Sequence, residues 1–348
     1  MLETIVRPLL SWYDTNARIL PWRERPEPYR VWISEIMLQQ TRVEAVKPYF
    51  DRFLSALPDV SDLASVSEEK LLKLWEGLGY YNRARNLQKA AVMVMEHYNG
   101  KLPKRYEELL TLPGIGEYTA GAIASIAFGQ PVPAVDGNVL RVITRVLASF
   151  DNISLPETKA DIRRRLLEIM PEDRPGDFNQ ALMELGATVC LPNGTPMCLI
   201  CPLRDICSAY RDALIEEIPV KNSKKERKIE QRTLFIIYYG KEFFLQKREN
   251  RGLLANLWEF PNCLGRLTLK QIREEVQSMG IKPARIQKCG TAKHIFTHVE
   301  WHMQGYLIEA ENRGNGIGKW AAPEDIRKSF ALPSAFQAFS KKLDEIIR

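Results

Sequence analysis

No stretch of the 348 residues approaches the ~20-residue apolar run of a membrane-spanning helix, so none is a candidate span. The opening Met1-Leu2-Glu3-Thr4 lacks a basic-then-apolar signal and carries an early acid, and a cytoplasmic protein is expected. No internal repeat is evident. Charge imbalance is slight: a net +6 permits attraction to a polyanion such as DNA without demanding it. Histidine is scarce, with four in the chain. Three of them, His294, His298 and His302, recur every fourth residue as a helical metal face would. Their surroundings read instead as a loop entering a strand, and no metal is expected there.

A second C-x2-C knuckle is also missing. The cysteines run Cys190-x7-Cys198-x2-Cys201-x5-Cys207, while Cys263 and Cys289 stand apart. In a reducing compartment such crowding reads as metal ligation rather than disulfides. Four thiolates suit either zinc or an iron–sulfur cluster. A zinc ribbon usually pairs two knuckles, so the spacing leans slightly toward iron–sulfur.

Apolar residues recur at helical spacing through Ile5-Val6-Leu9-Leu10-Tyr13, Trp32-Ile33-Ile36-Met37 and Val139-Leu140-Ile143-Val146-Leu147. An all-helical domain is expected over residues 1–218. Residues 219–231 are basic, polar and aperiodic, and read as a solvated linker. Beyond it, β-branched and aromatic runs at 233–239, 242–246 and 299–308 predict strands. One helix is expected over 269–279 and a closing one near 336–347. Residues 232–348 therefore form a separate α+β domain.

Two motifs carry chemistry. Leu112-Pro113-Gly114-Ile115-Gly116-Glu117-Tyr118-Thr119-Ala120 sets two glycines before a small-residue helix, where backbone N–H groups can meet a DNA phosphate. Further on, Asp136-Gly137-Asn138 opens the next helix, and Asp136 is a natural N-cap whether or not it also catalyses.

With the cysteine loop, these residues resemble the endonuclease III superfamily of helix–hairpin–helix DNA glycosylases. Leu20-Pro21-Trp22-Arg23, Trp32 to Thr41, Gly77-Leu78-Gly79-Tyr80-Tyr81 and Phe178 to Ala187 resemble its MutY branch in particular. The likeness spans nearly the whole chain. It implies removal of adenine mispaired with 8-oxoguanine or guanine in double-stranded DNA, by a monomer in the bacterial cytoplasm. It also implies a 4Fe-4S cluster on Cys190, Cys198, Cys201 and Cys207. The family usually has six residues between the first two cysteines. Here there are seven, and the extra one is expected to bulge outward.

The resemblance also assigns roles. Glu35 is the acid acting at adenine N7, and its apolar helix should favour the protonated form. Asp136 stabilises the sugar cation, with Tyr118 and Asn138 orienting it, the logic of paired carboxylates at a glycosidic bond. Trp22, Arg23 and Gln180 receive the flipped adenine. Gln40, Thr41, Leu78 and Tyr80 fill the gap and touch the oxidised guanine. Gly114 and Gly116 meet the DNA backbone. Strand-cleaving relatives carry a lysine where this chain has Tyr118, and tyrosine forms no Schiff base.

The C-terminal domain resembles MutT-like, or Nudix, domains. Its Arg273 to Ile281 follows the Nudix helix, but Gln277 and Ser278 replace metal-binding glutamates, so binding without nucleotide hydrolysis is implied. The family's Phe-Ser-His appears as Phe296-Thr297-His298, which keeps the hydroxyl.

Overall fold

The computed structural model describes the chain except residues 1, 224, 225, 315, 342, 347 and 348. It divides into two compact units: residues 1–65 with 82–223, and residues 66–81 with 224–348. The second unit therefore takes in a segment that lies far from it in sequence. Among the described residues no helix is long and apolar enough to cross a membrane.

The first unit is helical. Its core joins Leu9 and Tyr13 of the helix Val6–Asn16, Val139 to Val146 of the helix Gly137–Leu147, and Phe178, Leu182 and Leu185 of the helix Pro175–Thr188. The last two helices approach closely because Gly186 has no side chain. A Cβ there would stand 2.5 Å from Cβ of Asn138. The hairpin glycine Gly114 is fixed by φ +80° and by Asn86, whose Cβ would lie 2.8 Å from an added Cβ.

The strands of the second unit are β1 Lys228–Tyr239, β2 Glu242–Lys247, β3 Trp258–Glu259, β4 Asn262–Leu264, β5 Pro283–Ile295, β6 Val299–Ala310 and β7 Lys319–Ala321. They form one sheet in the order β3-β2-β1-β6-β5, with β4 on β1 and β7 on β2. β1 and β6 run parallel at the centre, whereas β5 returns antiparallel to β6. Both faces of β1 are covered. Leu234 and Ile236 pack with Phe260, Trp301 and Phe336, while Phe235 and Ile237 pack under Ile272 and Val276 of the helix Leu269–Ser278. Double coverage explains the unbroken apolar run of this strand.

Three expectations need correcting. The polar stretch expected as linker to residue 231 is already strand from Lys228, paired Lys228↔Val299 through Gln231↔His302. That end of β1 lies beyond the core, so no buried face imposed alternation. β5 was not foreseen, because most of its side chains lie exposed at the end of the sheet. His294 accordingly sits within β5 rather than in a loop. The closing helix is broken into Gln337–Ser340 and Leu343–Ile346, and Ile347 lies outside the described residues.

Candidate active site

The helix Pro28–Leu38 buries seven consecutive residues, Val31 to Met37, and Glu35 is among them with 5% of its surface exposed. Tyr118, in the first turn of the helix Glu117–Phe128, donates its hydroxyl to Glu35 Oε2 at 2.5 Å. Burial pushes the Glu35 carboxyl up from 4.5 to about 7, aided by the nearby Asp136, against the Tyr118 hydrogen bond and Arg23. Half of such groups are protonated near neutrality.

Asp136 caps the helix Gly137–Leu147. Its Oδ1 accepts from the Val139 N–H at 2.8 Å and its Oδ2 from the Asn138 amide at 2.7 Å. Asn138 is held in turn by Arg141, which donates to Oδ1 at 2.8 Å. Burial raises the Asp136 carboxyl, and these hydrogen bonds restrain the rise. The cap and the candidate catalytic carboxylate are thus one side chain.

Opposite these groups, Arg23 donates to Gln180 Oε1 at 3.1 Å and to Glu184 Oε2 at 2.8 Å, while Arg18 reaches Glu184 Oε1 at 2.5 Å. Burial alone would raise Glu184, but Arg18 and Arg23 outweigh it and hold the carboxyl below its ordinary value. Trp22 is buried edge-on to Phe50, with ring centroids 5.4 Å apart. A single cavity of about 630 Å³ is lined by Trp22, Arg23, Glu35, Gln40, Thr41, Gly116, Tyr118, Asp136, Asn138 and Gln180. Every residue of the first unit assigned to catalysis or base recognition lines it. The chamber combines an acid poised near neutrality, a second carboxylate and a polar wall, which suits protonation of a base and stabilisation of a sugar cation.

The chain matches the HhH-GPD superfamily base excision DNA repair protein family over residues 33–172 and a NUDIX domain over residues 233–342. It is 36% identical to the adenine DNA glycosylase of Rattus norvegicus, covering 96% of this chain and 78% of that one. The adenine DNA glycosylase of Buchnera aphidicola subsp. Baizongia pistaciae is 36% identical, covering 86% and 84%. A structure of endonuclease III trapped covalently on DNA superposes with a TM-score of 0.53 at 26% identity, over 61% of this chain and 97% of that one.

The chain belongs to the adenine DNA glycosylase family.

The glycosylase is adenine-specific, and a helical helix–hairpin–helix domain precedes its Nudix-like sheet domain. Its cysteine loop follows the helix Pro175–Thr188. All four clustered cysteines line one small cavity with Val142, Arg145 and Tyr210. Among the described residues, no three His, Cys, Asp or Glu side chains converge tightly enough to hold a metal ion. Arg145 braces the loop, donating to Cys190 Sγ at 3.2 Å, Leu191 O at 3.1 Å and Ile218 O at 2.8 Å. Burial pushes the Cys201 thiol up to about 12 and raises Cys198 and Cys207. The Met197 N–H donates to Val189 O at 3.0 Å, so the ends of the seven-residue spacer are drawn together around a bend at residues 192–194.

Gln40 and Thr41 follow the Glu35 helix in a turn where Gln40 adopts φ 58°. Arg83 organises this turn. Its Nη1 donates to Ile36 O at 2.8 Å, Met37 O at 2.9 Å and Gln39 O at 2.6 Å, and its Nη2 to Thr41 Oγ1 at 3.3 Å.

The remaining assigned residues of the glycosylase belong to the second unit. Leu78 is buried, as a core residue would be, whereas Tyr80 is 48% exposed and hydrogen-bonds Thr297 Oγ1 at 3.1 Å. Phe296 anchors the β5–β6 turn against Trp301, with centroids 4.8 Å apart, which leaves Thr297 and His298 exposed at the tip. His302 contacts Glu300 at 2.6 Å.

Sequence reasoning missed Arg18, Arg83, Arg145 and Glu184. Glu184 had a local signal: it follows Gln180 by four residues and shares its helix face. The arginines had only their position in or near apolar stretches, where a cation must find partners.

Proposed function

We propose that this glycosylase removes adenine paired with 8-oxoguanine and leaves the strand intact. The observation that carries this reading is the Tyr118–Glu35 hydrogen bond, a phenol and an acid poised near neutrality where strand-cleaving relatives need an amine. Glu35 gives its proton to N7 of the flipped adenine. The N-glycosidic bond then breaks, and its electron pair leaves with the base. Asp136, fixed by its cap and by Asn138, offsets the positive charge that develops on the sugar. Water adds to the anomeric carbon and returns a proton to Glu35. Arg23, Gln180 and Trp22 line the adenine pocket, while Gln40, Thr41, Leu78, Tyr80 and Thr297 address the opposite base.

The four thiols line one cavity, Arg145 donates to Cys190 Sγ beside it, and four cysteine sulfurs suit a 4Fe-4S cluster. Bound there, the cluster would cross-link the loop at four points. Purified protein should be yellow-brown with about four irons per chain; stoichiometric zinc without sulfide would refute the assignment.

The deciding experiment compares duplexes carrying adenine opposite 8-oxoguanine or guanine with one carrying an oxidised pyrimidine. Strand breaks should appear only after alkali and only at adenine, and borohydride should trap little protein on DNA. Efficient trapping, or preference for the pyrimidine, would overturn the reading.

A further inference from the structure

The segment 66–81 is remote in sequence from the sheet domain yet belongs to its compact unit. Lys247 donates to Glu69 Oε1 at 3.0 Å and Asn256 to Glu68 Oε1 at 3.0 Å, and an ion pair further along the segment adds a third attachment. Lys73 Nζ donates to Glu76 Oε2 at 2.6 Å and to the Phe330 carbonyl at 2.9 Å. Glu76 Oε1 accepts from the Leu332 N–H at 2.8 Å. The pair thus grips both sides of one short strap, residues 330–332. The strap is itself stitched to the sheet, because the Trp258 N–H of β3 donates to Ala331 O at 3.1 Å and the Trp258 and Phe330 rings meet edge to face at 4.9 Å. The side chains of Lys73 and Glu76 are 18% and 29% exposed, so both are substantially shielded from solvent and salt.

What this grip positions follows immediately in the chain. Gly77, Gly79 and Tyr80 have φ of 100°, 71° and 47°. Left-handed conformation is unfavourable for a bulky residue such as Tyr80, so local preference does not hold this turn and outside tethers must. Tyr80 nevertheless meets Thr297 across 217 residues of sequence.

We infer that Lys73 and Glu76 are positioning residues for the opposite-base reader, docking residues 66–81 onto the 330–332 strap and thereby setting Tyr80 against Thr297. The inference rests on the reading that Tyr80 and Thr297 face the oxidised guanine. It makes that reader a composite of two stretches of chain, and it gives neither charged residue a part in the chemistry.

The test uses the full chain and three variants: Lys73→Met, Glu76→Gln and Lys73→Arg. Single-turnover excision is measured for adenine opposite 8-oxoguanine and opposite guanine, alongside amide hydrogen exchange. Lys73→Met should raise exchange together in residues 66–81 and 330–332. It should lower the ratio of the two rates roughly 3- to 10-fold, the scale of one ordinary hydrogen bond, and leave the pH profile unchanged. Glu76→Gln should act more weakly, since the amide still accepts from Leu332. Lys73→Arg should restore both readouts, which separates lost positioning from general misfolding. Unchanged exchange in Lys73→Met overturns the clamp, and loosened exchange with an intact ratio overturns its role in specificity. A wild-type chain without preference for 8-oxoguanine sinks the opposite-base reading itself; the clamp then stands or falls on the exchange result.

Discussion

Two glutamates line the same cavity and are almost equally inaccessible, Glu35 at 5% and Glu184 at 1% exposure, yet they are driven in opposite directions. Glu35 has apolar helix neighbours and one phenol, and rises to about 7. Glu184 meets two guanidiniums and falls below its ordinary value. Burial penalises both charges, and the partner decides the outcome. The chamber thereby keeps an acid on one wall and a permanent anion on the other.

The largest test of that contrast is Glu35→Gln. It should keep mismatch binding and lose at least ~10²-fold in single-turnover excision. Near-normal excision would remove Glu35 from the chemistry. In the wild type, the rate should fall about tenfold per pH unit above about 7, as the acid form is lost.

Stability should separate the two residues by sign. The folded-state value of Glu35 is raised, so its neutral form contributes fully below the unfolded value of 4.5, and that contribution is lost as pH rises through about 7. Glu35→Gln should therefore stabilise the fold at pH 8.5, by at most about 3 kcal/mol, and do little at pH 4. Glu184 is lowered, so its contribution exists above 4.5 and disappears as pH falls through its depressed folded value. Glu184→Gln should destabilise by about 2 kcal/mol at pH 7, discounted for the partial exposure of both arginines, and less in acid. Denaturant midpoints at pH 8.5, where Glu35→Gln should stabilise and Glu184→Gln destabilise, and at pH 4, where both effects should shrink, check both, and equal signs at pH 8.5 would break the comparison.

Smaller effects are expected away from the carboxylates. Arg83→Met releases three carbonyls and the Gln40 turn, and should lower the preference for 8-oxoguanine about 5-fold with an unaltered pH profile. A shifted profile would mean that Glu35 moved as well. Thr297→Ala removes one exposed hydroxyl and should reduce discrimination by about 1 kcal/mol. Rates on the two duplexes measure both.

Local motifs made much of this site legible. Trp22, Glu35, Tyr118 and Asp136 sit in short segments that carry the family resemblance, and the helices Pro28–Leu38 and Gly137–Leu147 have clear apolar periods. Long-range partnerships were invisible. Arg18 finds Glu184 across 166 residues and Lys73 finds Phe330 across 257, and no periodicity encodes such a meeting. The same blindness placed residues 66–81 wholly in the helical domain, although the segment packs with the sheet unit. β5 escaped because an exposed strand needs no alternation.

The contact between Gly186 and Asn138 bears on how this glycosylase can vary under selection. Even alanine at 186 would bring a methyl carbon to 2.5 Å from Asn138 Cβ, so the helix beginning at Asp136 would have to shift. A neutral, apparently conservative change would thus displace Asn138, whose amide holds the Asp136 carboxylate. Lineages should be able to exchange surface charges freely while positions such as Gly186 and Gly121, where an added Cβ would stand 2.5 Å or less from a neighbouring segment, stay closed, and a variant at Gly186 should present as a repair defect.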